Sequence, residues 1–511
     1  MREVGYIMKK SVINNSLMKK FVLIFSFVVN MALLLLTAFL WHFWIYLIAS
    51  GVSLVVYIVF LSINKHIHNK LLWLIVVSAL PIYGTVLYLL GKYNSRYLHS
   101  RTVYQNLQFR NSEEASVDCE EILKSIKKHS IRQYKLSRNI LSNYNSPVFQ
   151  NSSTKFLESG QQIYDELFNE LKQAESYIFI EQYVIREGKI WDQLFEILKQ
   201  KARQGVEVKI LYDPLGCKNA FTDKLTFQKL ANYKIDCVPF KNGVFGYGNH
   251  RKLVVIDGIV AFVGSFNISD RYTGYSEVDN NWELSALKIS GDAVWNMTVG
   301  FFNDWQFSKG KLLGDFINYK PENSLRLKSS DVVQPIITSP LTNNDETKTL
   351  LISLINSANE KIDIFSSFIN VDADILDALK HAVNSGVEVN IITSSTTDRD
   401  TNFAISRGHY YELIRAGVNV LEHPNTFLRS RMIVVDHETA MVGSIGLDTR
   451  WLHLKFENAV VIHGKETLKN ITRYAEVVKH ACKLFTLKDF NERPLQQKIT
   501  AWAYRLFRLN F

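Results

Sequence analysis

Two phrases in this chain carry residue types at spacings that suit phosphodiester chemistry. The first runs His250-Arg-Lys-Leu-Val-Val-Ile-Asp257 and is followed by Gly264-Ser265-Phe266-Asn267. The second runs Arg429-Ser-Arg-Met-Ile-Val-Val-Asp436 and then Gly443-Ser444-Ile445-Gly446. Its spacing survives, with arginine in place of the histidine and the lysine and glycine in place of the asparagine. Transferring a phosphodiester through a covalent intermediate needs a nucleophile, cationic donors for the non-bridging oxygens and an acid for the departing alkoxide. His250 and Lys252 are two apart on an apolar strand, so imidazole and ammonium share a face. Ser265 and Asn267 repeat that spacing and can add neutral hydrogen bonds; Arg429, Arg431 and Ser444 are the matching phosphate-binding positions of the second phrase. Asp257 completes the catalytic phrase, although in a regular strand it faces away from Lys252 and suits holding the turn at Gly258, with Asp436 as its supporting counterpart. The plainer alternative is a buried strand whose histidine and lysine merely find partners.

The elements that deliver these phrases also occur twice. In the first copy a helix (Gln161 to Ala174) precedes a strand beginning at Tyr177. A second helix ending Arg203-Gln-Gly205 then leads into the buried strand Val206 to Tyr212. In the second copy the order is helix (Thr347 to Asn359), strand from Lys361, helix ending Asn384-Ser-Gly386, and strand Val387 to Ile392. In both, a glycine closes the helix and Val-Glu-Val opens the next strand, as where a left-handed cap leads into a parallel strand. This predicts two duplicated α/β domains related by a pseudo-twofold, with sheets covered on both faces. Glu181 and Asp213, near strand C-termini, are further candidates to line a site at that sheet edge.

With both phrases and the duplication in place, the chain resembles the phospholipase D superfamily, and within it the bacterial membrane-bound cardiolipin synthases. The likeness includes Tyr247 to Gly258, Ser406 to Gly417 and Phe485 to Pro494. It implies that two histidines meet across the pseudo-twofold, one attacking phosphorus and the other serving as acid and then base. The nucleophile carries over to His250; the second histidine carries over to Arg429, whose guanidinium does not release its proton at physiological pH. The resemblance also implies a carboxylate orienting each histidine. Glu457 fits in the second half, seven residues before Gly464, whereas the corresponding position before Gly291 is Leu284, with Glu283 one residue out of register. Glu283 is then expected to serve His250 only through a bulge, so that the losses fall on both halves. His423 is a possible replacement acid.

The chain's 511 residues, 47% hydrophobic and with a net charge of +10, leave room for several domains and suit an anionic partner. No charged residue occurs from Phe21 to Ser62, and a further apolar stretch covers Leu71 to Gly91. These predict N-terminal transmembrane helices in an anchor of residues 1–95 with two or three apolar segments, at about 21–40, 42–62 and 71–91, the last either a full span or a hairpin kinked at Pro81 and Gly84, hence a multi-pass protein of the bacterial cell membrane. A polar linker (96–155) is then expected, followed by phospholipase D-like domains at 156–325 and 326–485. An amphipathic tail (486–511) places Leu495, Ile499, Trp502, Leu506 and Leu509 at helical spacing among basic residues. Cys119, Cys217, Cys237 and Cys482 have no CxxC spacing, and no metal or other cofactor is expected. The expected partners are phosphatidylglycerol and other anionic phospholipids, the membrane, and a second copy or a paralogue in a homo- or hetero-oligomer; no nucleic acid is expected. The resemblance implies conversion of two phosphatidylglycerol molecules to cardiolipin and glycerol through a phosphohistidine. The contrasting reading is a pseudo-synthase that binds anionic phospholipid or regulates an active paralogue.

Overall fold

The computed structural model describes residues 25–35, 43–63, 76–78, 80–92 and 95–114. It also describes 117–507, apart from breaks at 219–223, 242–246, 274–281, 313–315, 322–326, 328–330, 343–344, 397–399, 425–426 and 465. Contacts divide the chain into two units, one of residues 1–99 with 502–511 and one of residues 100–501.

In the first unit, Phe43–Ile63 is a helix without charged residues in its terminal turns. Pro81–Lys92 is a shorter helix whose Pro81 carbonyl accepts from Ser53 Oγ at 2.8 Å. Among the described residues, no helix is long and apolar enough to cross a membrane. The described helices therefore lend no support to the transmembrane helices expected from the sequence. Parts of all three expected segments lie outside the described residues, including 71–75 and 79 of the third.

The second unit opens with a correction. Residues 96–155, expected as a polar linker, lie largely in the helices Ser95–Glu114, Glu120–His129 and Ile131–Tyr144. Their apolar stripes are narrow, which hid them among polar residues. Leu136, Ile140 and Tyr144 recur at helical spacing and pack into the core of the second sheet. Ser130 caps the third helix by accepting from Gln133 N.

The strands of the first half are β1 (Ser152–Leu157), β2 (Tyr177–Gln182), β3 (Glu207–Tyr212), β4 (Asp236–Pro239), β5 (Gly248–Asn249), β6 (Lys252–Ile256), β7 (Val260–Gly264), β8 (Trp282–Glu283) and β9 (Ala286–Gly291). The second half continues with β10 (Val332–Thr338), β11 (Lys361–Phe365), β12 (Glu388–Ser394), β13 (Asn419–His423), β14 (Phe427–Leu428), β15 (Met432–Val435), β16 (Thr439–Gly443), β17 (Lys455–His463) and β18 (Lys483–Leu484). The first sheet has the order β1-β9-β7-β6-β2-β3-β4, and the second repeats it as β10-β17-β16-β15-β11-β12-β13, with β18 added at the edge. In each, three parallel strands continue into antiparallel ones, a mixed α/β sheet. Helices Gly160–Gln173 and Lys189–Arg203 cover one face of the first sheet. Ala293–Lys309 covers the other, with Phe301 stacked on Phe179 at 4.8 Å. Gly205 and Gly386, at φ +95° and +89°, end the helices before β3 and β12 as the sequence predicts.

Two small pairings tie the halves together. Residues of β5 pair with the start of β17, and β14 pairs with β8. Each motif thus reaches the other half's penultimate strand just before its histidine position, and the exchange is reciprocal. At the far end of β6, Asp257 accepts from the backbone N–H groups of Glu175, Ser176 and Tyr177 at 2.7–2.8 Å. Asp436 does the same for Asn359, Glu360 and Lys361 and pairs with Arg132. Both aspartates take positive φ in tight turns, as hairpins with right-handed twist require. Asp257, counted with the catalytic residues in the sequence, is therefore structural: a strand separates it from His250. Removing three charge-assisted hydrogen bonds should cost about 2–4 kcal/mol. Asp257→Ala should lower the denaturant midpoint accordingly while leaving affinity for anionic phospholipid vesicles unchanged; a loss of lipid affinity without loss of stability would return Asp257 to the site.

Candidate active site

His250 follows β5, held by its backbone N–H bonded to the Phe456 carbonyl at 2.9 Å. The residue is 2% exposed, and Nδ1 lies 2.9 Å from Glu457 Oε2. The orienting carboxylate of the first-half histidine thus comes from the second half. Glu283, the residue expected to reach His250 through a bulge, instead accepts from Tyr474 Oη at 3.0 Å.

The registers explain this. Gly264 pairs with Ala286 on β9, and Gly443 pairs with Ala459 on β17, so Leu284 occupies the place of Glu457. At both glycines an added Cβ would lie within 2.7 Å of the partner alanine, which is why the strands can cross closely there. Arg429 occupies the place of His250: its backbone N–H bonds to the Glu283 carbonyl at 2.8 Å, as that of His250 bonds to Phe456. The intact pair is His250 with Glu457, and the altered pair is Arg429 with Leu284. The losses that the sequence distributes over both halves therefore fall on one pair.

Four cations share this pocket. Lys252 Nζ donates to the His250 carbonyl at 2.7 Å and lies 5.4 Å from the Tyr183 ring. Arg431 is buried, donates to the Ser444 carbonyl and stacks 4.7 Å from the Trp451 ring. Arg429 is half-buried, with its guanidinium over Trp282 and Phe427 at 4.7 and 4.9 Å. Lys455, two residues before Glu457, is half-buried and interacts with Asp213. Burial first, then the charges of Lys252, Arg431, Lys455 and Arg429, hold the His250 imidazole well below its ordinary pKa. This favours the neutral ring, the form that can act as a nucleophile. Burial pushes Glu457 up to about 7 against the pull of Arg431 and Lys252, and burial depresses the Lys252 and Lys455 ammonium groups. Tyr183 and Trp451 flank the imidazole at ring separations of 4.8 and 4.1 Å.

Several expected phosphate donors face inward. Ser265 Oγ donates to the Ser285 carbonyl and accepts its N–H, both at 3.1 Å. Asn267 bonds Tyr272 Oη at 2.6 Å and the Val184 N–H at 3.3 Å. Ser444 donates to Glu457 and is engaged by Asn458. Ser265, Asn267 and Ser444 are thus each engaged by protein groups, where the sequence offers them as phosphate donors. At Gly446 an added Cβ would lie 3.1 Å from Ser366 Oγ and 3.7 Å from Arg431 Cδ, a tight fit. Glu181 and Asp213, expected to line the site, are fully buried beneath the motif loop. Glu181 accepts from Asn249 Nδ2, and Asp213 accepts the Asn249 N–H at 2.7 Å. His423 bonds the Pro424 carbonyl at 2.9 Å and joins none of the described contacts of the His250 cluster. Among the described residues, no group of three or more His, Cys, Asp or Glu side chains could hold a metal.

Sequence reasoning missed Lys455, Tyr183, Trp451 and Arg251. Arg251 lies between β5 and β6 and is buried. It donates to the Glu457 carbonyl at 3.2 Å and the Thr338 carbonyl at 2.8 Å, and pairs with Asp304. It thereby fixes the backbone that carries the orienting carboxylate. A charged residue between the motif's histidine and lysine on a buried strand was the available signal.

The family described as cardiolipin synthase, PLD-like domain, matches residues 167–305 and 351–478. The chain belongs to this family. A cardiolipin synthase of Alkalihalophilus pseudofirmus is 32% identical over 453 residues, 87% of this chain and 89% of its own. One from Halalkalibacterium halodurans is 31% identical over 501 residues, 95% of this chain and 96% of its own. A solved phosphatidylserine synthase from Haemophilus influenzae has the same fold, with a TM-score of 0.55 at 14% identity, covering 74% of this chain and 98% of that one.

The pKa directions set a pH dependence. Neutral His250 can give its Nδ1 proton only to ionised Glu457, and Glu457 protonates as pH falls through about 7. Phosphodiester turnover should therefore fall on the acid side with an apparent pKa of about 7. In Glu457→Gln that limb should vanish, with the rate down about 10²- to 10⁴-fold. A limb near 6.5 surviving in Glu457→Gln would assign it to His250.

Proposed function

We propose that this chain is a phosphatidyltransferase of cardiolipin synthase type. His250 Nε2 attacks the phosphorus of one phosphatidylglycerol, the phosphorus–oxygen bond to glycerol breaks, and the departing alkoxide takes a proton. The free hydroxyl of a second phosphatidylglycerol then attacks the phosphohistidine and gives up its proton, yielding cardiolipin and regenerating His250. The observation that carries this reading is the neutral His250 held by Glu457 among Lys252, Arg429, Arg431 and Lys455. Its Nδ1–H is engaged, so the Nε2 lone pair faces the substrate, and the cations offset the charge of a five-coordinate phosphorus. The depressed ammonium groups of Lys252 and Lys455 are the proton sources left once Arg429 has replaced the second histidine. The names of the relatives support the same substrate class.

The Arg429–Leu284 pair favours a second reading. A pocket with its charge intact and its acid gone binds anionic phospholipid without turning it over, alone or beside an active paralogue in a homo- or hetero-oligomer. Either reading places the chain at an anionic surface of the bacterial cell membrane. Exposed Leu495, Ile499 and Trp502 on the helix Leu495–Phe507 suit contact with such a surface.

Purified protein in mixed micelles should convert phosphatidylglycerol to cardiolipin and glycerol and accumulate label on His250. Lipid binding with neither product would select the second reading. Arg429→His alone sets an imidazole against Leu284 with no carboxylate, whereas Arg429→His with Leu284→Glu builds a second pair. The double variant should raise turnover about tenfold or more over the single one; equal rates would contradict the exchange of carboxylates between halves.

A further inference from the structure

Gln182 closes β2 and pairs directly with Lys252 of β6. Paired residues of an antiparallel ladder project on the same face. Gln182 therefore faces the site on the side where Lys252 brings its ammonium to the His250 carbonyl. The next residue, Tyr183, lies against the His250 ring. Gln182 is 0% exposed, and neither its Nε2 nor its Oε1 has a hydrogen-bond partner among the described residues. The other neutral side chains around the site, Ser265, Asn267, Ser444 and Asn458, are all engaged by protein groups. Ser366, at the equivalent position after β11, is engaged too, by the Phe368 carbonyl and the Leu447 N–H. Burying a donor and an acceptor together without partners is unfavourable, so a group that both donates and accepts is favoured beside Gln182.

The missing partner has a definite chemistry. Phosphodiester oxygens only accept, so they would satisfy Nε2 and leave Oε1 bare; cations already surround the phosphoryl position. A hydroxyl both donates and accepts, as the amide does. Resting on the transferase reading above, we propose that Gln182 binds a free hydroxyl of the glycerol headgroup and selects a polyol as the departing and accepting alcohol.

The test compares phosphatidylglycerol with phosphatidylethanol, whose headgroup has no free hydroxyl, by release of labelled glycerol or ethanol from mixed micelles that contain unlabelled glycerol as the common acceptor. The ratio of kcat/KM for the two lipids should fall about 10- to 100-fold in Gln182→Met, through KM for phosphatidylglycerol, because a hydrogen-bonding site discriminates against partners that cannot complete it. Gln182→Asn, which keeps the amide, should retain part of the preference and controls for folding. An unchanged ratio in Gln182→Met, with both lipids slowed together or neither slowed, overturns the proposal and leaves Gln182 a packing or water-bound residue. If the wild-type protein releases neither alcohol, the catalytic reading fails by itself. Equilibrium binding to vesicles of each lipid then decides the inference: a wild-type preference for phosphatidylglycerol that Gln182→Met abolishes supports it, and equal binding by both proteins overturns it.

Discussion

The hydrogen bond between His250 Nδ1 and Glu457 joins two residues from different halves of the chain, and the rest of the site is arranged around it. Neither partner is stable there alone. Unpaired, a buried carboxylate would carry the full penalty of desolvation, and a buried imidazole among four cations would have no defined tautomer. Paired, the carboxylate accepts one proton and leaves the opposite ring nitrogen open. The backbone on both sides is held to the same end: His250 N–H on the Phe456 carbonyl, Arg251 on the Glu457 carbonyl, and Asn458 bridging to the Lys252 backbone. Each of these bonds crosses between halves, so neither half holds a working site by itself.

That arrangement changes the meaning of the degraded second motif. Duplication with exchanged strands creates two histidine–carboxylate positions, each built from both halves. Arg429 and Leu284 belong to one and His250 and Glu457 to the other. An apolar residue at 284 removes the reason to keep a histidine at 429. A guanidinium there stacks on Trp282 and Phe427 and keeps positive charge near the phosphate position. The site keeps one histidine–carboxylate pair and four cationic side chains, and lacks the second pair.

Much of this was legible in the sequence because it is local. The histidine and lysine two apart, the apolar strand behind them, the glycine closing each helix and the repeated order of elements depend on neighbours within a few residues. What was illegible depends on pairing across the interface. Nothing in the linear order says that Glu457 serves His250 and not its own half, or that Leu284 belongs with Arg429. Ser265, Asn267 and Ser444 looked like ligands by residue type, yet their hydroxyl and amide groups are engaged by adjacent strands. The helices between 95 and 144 were hidden because their buried stripes are narrow, and the apolar N-terminal runs suggested spans that the described helices do not provide.

The most direct measurement is the protonation state of His250 by nitrogen-detected NMR on histidine-labelled protein across pH 5 to 9. A neutral ring throughout, protonated at Nδ1 with its signal shifted as Glu457 titrates near 7 and lost in Glu457→Gln, is the predicted result. An imidazolium titrating near 6.5, or a neutral ring protonated at Nε2 and indifferent to Glu457→Gln, would contradict the account.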